Sequence, residues 1–341
     1  MVGSPTEEAV ISMGRKLNGA VVVVTGASSG IGRATSLGFA EQGAQVVLAA
    51  RRAGALEELA RQCQAAGGQA LAVPSDVTDE AAVAELARHA VEHFGRIDIW
   101  VNNAGVYLLG SLEATPPEAF RQVLETNFFG YVHGARAVLP RFREQGHGVL
   151  INNASVYSHI AAPWLTAYVS SKFAIRGFSE ALRQELGDLP DVHVCTVSPS
   201  PIDTPIFAST ANYSGRAVKA PAPTYPPEQV ASAIVASALH PKRERIVGGA
   251  GRLATLMETV APHQFERVNR RYVGGLQFAA EPAPASDGNL YAPVSDGLSE
   301  ARGGWRRRPD PPALLRRLAA VGLLAAGAIS IARIATRSGL T

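Results

Sequence analysis

Ala20-Val21-Val22-Val23-Val24-Thr25-Gly26-Ala27-Ser28-Ser29-Gly30-Ile31-Gly32 decides how this chain is read. Five β-branched residues in a row, without in/out alternation, suit a strand covered on both faces. The run enters three glycines, and residues 30–42 then carry a helical pattern. Working outward, residues 45–49, 70–73, 97–101, 149–152, 192–197 and 245–247 read as further apolar strands. Residues 56–66 and 80–94 read as helices between them. Strand-helix alternation at this spacing predicts a doubly wound α/β fold, with a parallel sheet carrying helices on both faces in the Rossmann manner.

A glycine turn at the start of a helix lets backbone approach a pyrophosphate, and the helix N-terminus offers amide donors and a positive dipole end. Gly26, Ser28, Ser29, Gly30, Ile31 and Gly32 are therefore read as a dinucleotide turn, spaced Gly-x-x-x-Gly-x-Gly. An acidic residue after the second strand would accept hydrogen bonds from a ribose 2′-hydroxyl. Here Arg51 and Arg52 stand there instead. Guanidinium groups bind a 2′-phosphate through charge-assisted bonds, which favours NADP(H) over NAD(H). Asp76 and Val77, after the third strand, are candidates for the adenine edge.

Tyr168-Val169-Ser170-Ser171-Lys172 lies downstream, with Ser155 thirteen residues before the tyrosine. Residues four apart share a helix face, so Lys172 falls beside Tyr168. Bringing a phenol from a pKa of about 10 to roughly 7 requires about 4 kcal/mol of phenolate stabilisation, and a neighbouring positive charge is one source. The arrangement points to a group that moves a proton.

Together, residues 25–32, Asp76-Val77, Asn102-Asn103-Ala104-Gly105, Asn127, Ser155, Tyr168 and Lys172 resemble the short-chain dehydrogenase/reductase family in its compact, single-domain form, over roughly residues 17–250. The resemblance implies a seven-stranded parallel sheet and a homo-oligomer. It implies that Tyr168 is the general acid/base, with Lys172 on the nicotinamide ribose and Ser155 on the substrate oxygen. Asn127 would keep a water in line with Lys172. Asn103, Ala104 and Gly105 would border the adenosine, and Pro199, Ile202 and Thr204 the nicotinamide. One departure stands out: the family's Pro-Gly after the sixth strand is Pro199-Ser200 here. The expected activity is NADP(H)-dependent interconversion of a carbonyl and an alcohol. The alternative is a catalytically idle NADP(H)-binding scaffold or redox sensor at a membrane.

Residues 106–112, 156–165 and 202–214 are expected to shape a substrate pocket. They supply Tyr107, Leu108, Tyr157, His159, Trp164, Ile202 and Phe207, which suits a small apolar ketone, aldehyde or alcohol. Beyond this domain, residues 251–277 read as a helical extension and 278–312, rich in Pro, Ala and Gly, as a mobile linker. Residues 1–16 read as an N-terminal arm.

The net charge of +3 is uneven: eight arginines and one aspartate from Arg302 onward give +7, leaving −4 for residues 1–301. The basic balance thus belongs to the tail and gives no support for nucleic-acid binding. Two widely separated cysteines form neither a disulfide framework nor a metal-ligand spacing. No signal peptide is visible, so a cytoplasmic protein is expected. In the tail, 313–341, residues 318–332 lack any charge. As a helix they would span about 22 Å, against a hydrocarbon core of roughly 30 Å. Extending to residue 335 requires Arg333 to snorkel. Arginines concentrated before this segment would keep the enzyme on the cytoplasmic face if it attaches to a membrane through residues 313–335.

Overall fold

The valine run forms a strand, β1 (Val21–Thr25), whose five residues are all buried. Val22 and Val24 point to one face and Val21 and Val23 to the other, each pair joining a separate apolar cluster. Two-sided burial is why the run has no polar alternation. A computed structural model describes residues 17–294 and 298–306.

The other strands of the main sheet are β2 (Gln45–Ala50), β3 (Gln69–Pro74), β4 (Ile99–Asn102), β5 (Gly148–Asn153), β6 (Val192–Pro199) and β7 (Glu244–Val247). With β1 they form one seven-stranded parallel sheet in the order β7-β6-β5-β4-β1-β2-β3. Helices α1 (Gly30–Ala40) and α2 (Ala53–Ala65) cover one face, and α3 (Glu80–Phe94) the other. After α4 (Pro117–Leu124), a π-helical turn at Glu125–Phe129 leads into α5 (Gly130–Gln145). α5 and α6 (Thr166–Glu185) add Phe142 and Leu182 to the second face, while α7 (Pro227–Leu239) returns to the first. The strand order reverses between β1 and β4, which opens a crevice at their carboxyl ends where α/β sheets bind ligands.

Beyond the sheet, the helical extension is two helices, α8 (Gly249–Val260) and α9 (Pro262–Leu276). Pro262 separates them because its ring suits a helix start and not an interior. Cys63 and Cys195 are buried thiols outside any disulfide, and burial pushes the Cys63 thiol up to about 12 against the pull of Arg33.

The expectation of a mobile linker at 278–312 is corrected across its described part. Phe278–Pro282 is a strand, paired antiparallel with Arg216–Val218. Farther on, Leu290 is fully buried among Val106, Leu108, Val123 and Ala211. The segment lacks periodicity because it is held by isolated knobs and backbone hydrogen bonds, not by a regular face. The arm at 1–16 and the apolar tail at 313–341 lie outside the described residues. Among the described residues, no helix is long and apolar enough to cross a membrane.

Leu290→Ala distinguishes the two readings of this segment. As part of a packed core, the truncation lowers unfolding stability by about 2–5 kcal/mol in urea titration, whereas a residue in a free linker changes it by less than about 0.5 kcal/mol.

Candidate active site

Three side chains close the carboxyl ends of β1, β4 and β5 into one unit. Asn103 Nδ2 donates to the carbonyls of Thr25 (2.9 Å) and Gly26 (3.3 Å), while its Oδ1 accepts from Asn153 Nδ2 at 2.8 Å. Thr25 Oγ1 in turn accepts from the amides of Asn103 and Ala104. This closure sets the glycine turn against the 103–105 loop. Gly26 has φ +64°, and a Cβ there would lie 2.6 Å from Ala104 Cα. At Gly32 a Cβ would lie 2.2 Å from the Gly26 carbonyl oxygen. Behind the loop, Asn102 receives Trp100 Nε1 (2.8 Å) and donates to Asn152, which donates to Ser179.

A groove runs from this turn across the sheet. Gly26, Ser28, Ser29, Gly30 and Ile31 line it at the centre, Arg51, Arg52, Asp76 and Val77 at one end, and Asn103, Ala104 and Gly105 along the floor. Ser155, Tyr168, Lys172, Pro199, Ser200, Ile202 and Thr204 line the other end. The sequence-predicted cofactor residues therefore share one surface, apart from Gly32, which supports the turn from behind. The Asp76 carboxylate caps its own loop, accepting from Thr78 N at 3.0 Å and Thr78 Oγ1 at 2.9 Å. The glycine cradle, the helix start at Gly30 and the two guanidinium groups fit a nicotinamide dinucleotide.

Tyr168 and Lys172 lie on the buried face of α6, with Lys172 Nζ 5.5 Å from the ring centroids of both Tyr168 and Tyr131. Nζ donates to the Asn153 carbonyl at 3.2 Å, which also receives the Tyr131 hydroxyl at 2.8 Å. Burial dominates both titrations. It pushes the Tyr168 phenol up to about 12, with the Ser155 hydrogen bond working downward, and drops the Lys172 ammonium to about 7. The expected lowering of the phenol by its lysine neighbour is not seen: burial raises it, and the downward pull comes from Ser155. The proton stays on Tyr168 at neutral pH, the form that can protonate an oxygen.

Asn127 sits in the π-helical turn, a distortion frequent at functional sites. Its Oδ1 accepts from Val106 N (2.8 Å), and its Nδ2 donates to Val106 O (3.0 Å) and Ser171 Oγ (3.1 Å). Both amide protons are thus spent on protein atoms. Ser200, in place of the family's glycine, accepts from Gly251 N at 3.1 Å and so ties the groove to α8.

The expected substrate pocket is only partly assembled. Tyr107, Tyr157, Ile202 and Phe207 line the groove, and the Tyr107 ring lies edge-on to Tyr168 at 4.5 Å. Three assignments are corrected. Leu108 packs beneath, in the cluster around Leu290, because the two-residue strand Leu108–Leu109 turns it inward. His159 Nε2 turns away to Glu244 Oε1 at 2.6 Å, a carboxylate that Ser198 also contacts. Trp164 packs edge-on against Phe278, 5.7 Å between centroids, from a left-handed backbone at φ +69°. Sequence reasoning missed Tyr131 and Asn153, as well as Asn289, Pro293, Val294 and Leu298, which form an outer wall of the groove. Asn153 borders the predicted fifth strand. The outer wall carries no motif.

The comparisons with known proteins agree with this architecture. A family profile described as short chain dehydrogenase matches residues 20–214. The uncharacterized oxidoreductase YxnA of Bacillus subtilis is 37% identical over 284 residues, covering 81% of this chain and 79% of that protein. Dehydrogenase/reductase SDR family member 7B of Bos taurus is 36% identical over 262 residues, covering 73% and 80%. Among solved structures, an alcohol dehydrogenase of Thermococcus sibiricus complexed with 5-hydroxy-NADP is similar at TM-score 0.59 and 28% identity, covering 67% of this chain and 95% of that one. A short-chain dehydrogenase/reductase of Burkholderia phymatum in complex with NAD matches at TM-score 0.66 and 25% identity, covering 76% and 98%. The fold and groove define an α/β oxidoreductase. The chain belongs to the short-chain dehydrogenase/reductase family.

The depressed Lys172 pKa makes a stability prediction. Its folded value of about 7 lies below the ordinary 10.5, so the unfolded chain binds more protons between them, and stability rises with pH across that window. Lys172→Met removes the penalty of burying the cation. Urea titration should find the variant more stable than wild type at pH 6, with the difference shrinking towards pH 10; a gain of equal size at both would contradict this.

Proposed function

We propose that this enzyme is an NADP(H)-dependent oxidoreductase that interconverts a carbonyl and an alcohol on a small apolar substrate. The observation that carries the reading is that Ser155, Tyr168 and Lys172 line the same groove as the glycine turn. The bound nicotinamide supplies the hydride donor or acceptor. Tyr168 gives its proton to the substrate oxygen in reduction and takes it back in oxidation. Ser155 Oγ holds that oxygen by hydrogen bond as its charge changes. Lys172, held by the Asn153 carbonyl, would donate to the ribose hydroxyls of a bound nucleotide and pass a proton behind the phenol. Asn127, with its side chain committed to Val106 and Ser171, would take part in such a path through its main-chain carbonyl. Tyr107, Tyr157 and Phe207 exclude water and favour an apolar or aromatic substrate.

Preference for the phosphorylated cofactor is supported by Arg51 and Arg52 at the adenosine end of the groove, where no carboxylate follows β2. A 2′-phosphate would accept charge-assisted bonds there. An idle nucleotide-binding module is the competing reading, and the complete Ser155–Tyr168–Lys172 set speaks against it.

Turnover of NADPH with a panel of apolar ketones and aldehydes separates the two. Tyr168→Phe should lower kcat by about 10²–10⁴-fold with NADPH binding retained. Binding without turnover of any panel member, and no effect of the variant, would favour the idle module. Arg51→Ala should weaken NADPH far more than NADH in fluorescence titration; equal effects would remove the 2′-phosphate assignment.

A further inference from the structure

The donors that a dinucleotide would use are already engaged by the chain itself. The Gly30 amide, at the N-terminus of α1, donates to the Glu300 carbonyl at 3.0 Å. Arg52 Nη2 donates to the Leu298 carbonyl at 3.3 Å, and its Nη1 to Ser299 Oγ at 3.2 Å. Arg51 donates to the carbonyls of Asn289 (2.7 Å) and Leu290 (3.4 Å). Residues 298–300 thus lie across the start of α1, their carbonyl oxygens accepting from the Gly30 amide and the Arg52 guanidinium.

This stretch is held from its far side by a clasp. The buried Asp203 carboxylate accepts from Gly303 N at 3.1 Å and Trp305 N at 2.7 Å. Trp305 Nε1 donates to the Thr204 carbonyl at 3.1 Å, and its ring lies 6.1 Å from Phe207. Gly303 passes so close to this loop that a Cβ there would lie 2.3 Å from the Thr204 carbonyl oxygen. Upstream, Leu290 anchors the chain independently in its own apolar cluster.

We propose that residues 298–305 are a self-ligand of the dinucleotide groove, a strap whose carbonyls stand in for the phosphates and which cofactor binding displaces. The proposal rests on the dinucleotide reading above. The exchange is chemically favoured, because a neutral carbonyl is a weaker acceptor than a phosphate for the same amide and guanidinium donors. The strap keeps these donors satisfied within the protein, and nucleotide entry requires the clasp at Asp203 to open. The same contacts that cover the groove therefore lower apparent cofactor affinity by the cost of opening.

The test uses the full-length chain. Gly303→Val places side-chain atoms against the Thr204 carbonyl and releases the clasp, and Trp305→Ala removes its aromatic half by an independent route. Binding of NADPH and NADH is followed by nucleotide fluorescence in stopped flow, and backbone exchange of residues 298–305 by hydrogen-deuterium exchange mass spectrometry. Both variants should bind the preferred dinucleotide more tightly, by about tenfold for the net loss of one hydrogen bond, with a faster association rate. In wild type, saturating dinucleotide should speed amide exchange in the peptide covering 298–305. Unchanged affinity and association rate in both variants, or slower exchange in that peptide on nucleotide binding, would overturn the proposal. Failure of wild type and both variants to bind either dinucleotide would instead overturn the cofactor reading, and the strap's role with it.

Discussion

Asn103 holds the functional end of this molecule together. Its carboxamide joins the Thr25 carbonyl at the end of β1 to the Asn153 amide at the end of β5. Two parts of the groove adjoin the two sides of this tie. The glycine turn departs from Thr25, while the Asn153 carbonyl receives both Lys172 and Tyr131. Parallel register places these strand ends side by side, because β4 pairs with both β1 and β5. A single side-chain amide thereby ties the glycine turn to the strand end that carries the contacts of Lys172 and Tyr131.

That pair is built at a thermodynamic cost. Burial disfavours the charged form of each group, so the phenol rises and the ammonium falls relative to their ordinary values. A buried half-titrated lysine contributes nothing to folding at neutral pH that an apolar residue of its size would not supply better. The same low-dielectric surroundings strengthen the interaction of both groups with any charge developing on a bound substrate.

Much of the core architecture was legible in the sequence because it follows from two-sided burial. Each of the seven apolar runs appears as a strand within a residue or two of its expected bounds, and the helix at Glu80–Phe94 coincides with its expectation, capped by Asp79 and terminated by Gly95 in the left-handed region. The groove residues were legible as motifs for a related reason: close approach demands glycine at 26 and 32, and no other residue type fits. The substrate side was read less well. Whether Leu108, His159 or Trp164 faces the groove depends on loop backbone that no periodicity encodes. The outer wall escaped notice altogether. The described residues at 287–294 and 298–305 are held largely by contacts to their main-chain carbonyls and amides, which every sequence possesses, so Leu290 and Trp305 were the side chains best able to signal packing.

The central claim is that the glycine turn and the Tyr168–Lys172 pair serve one bound nucleotide. A crystal structure of the full-length protein soaked with NADPH tests it directly. The account predicts the pyrophosphate on the Gly30 amide, the 2′-phosphate between Arg51 and Arg52, and the nicotinamide ribose against Lys172 with its ring beside Tyr168. A nucleotide bound outside this groove, or bound in it with the nicotinamide directed away from Tyr168, would contradict the account.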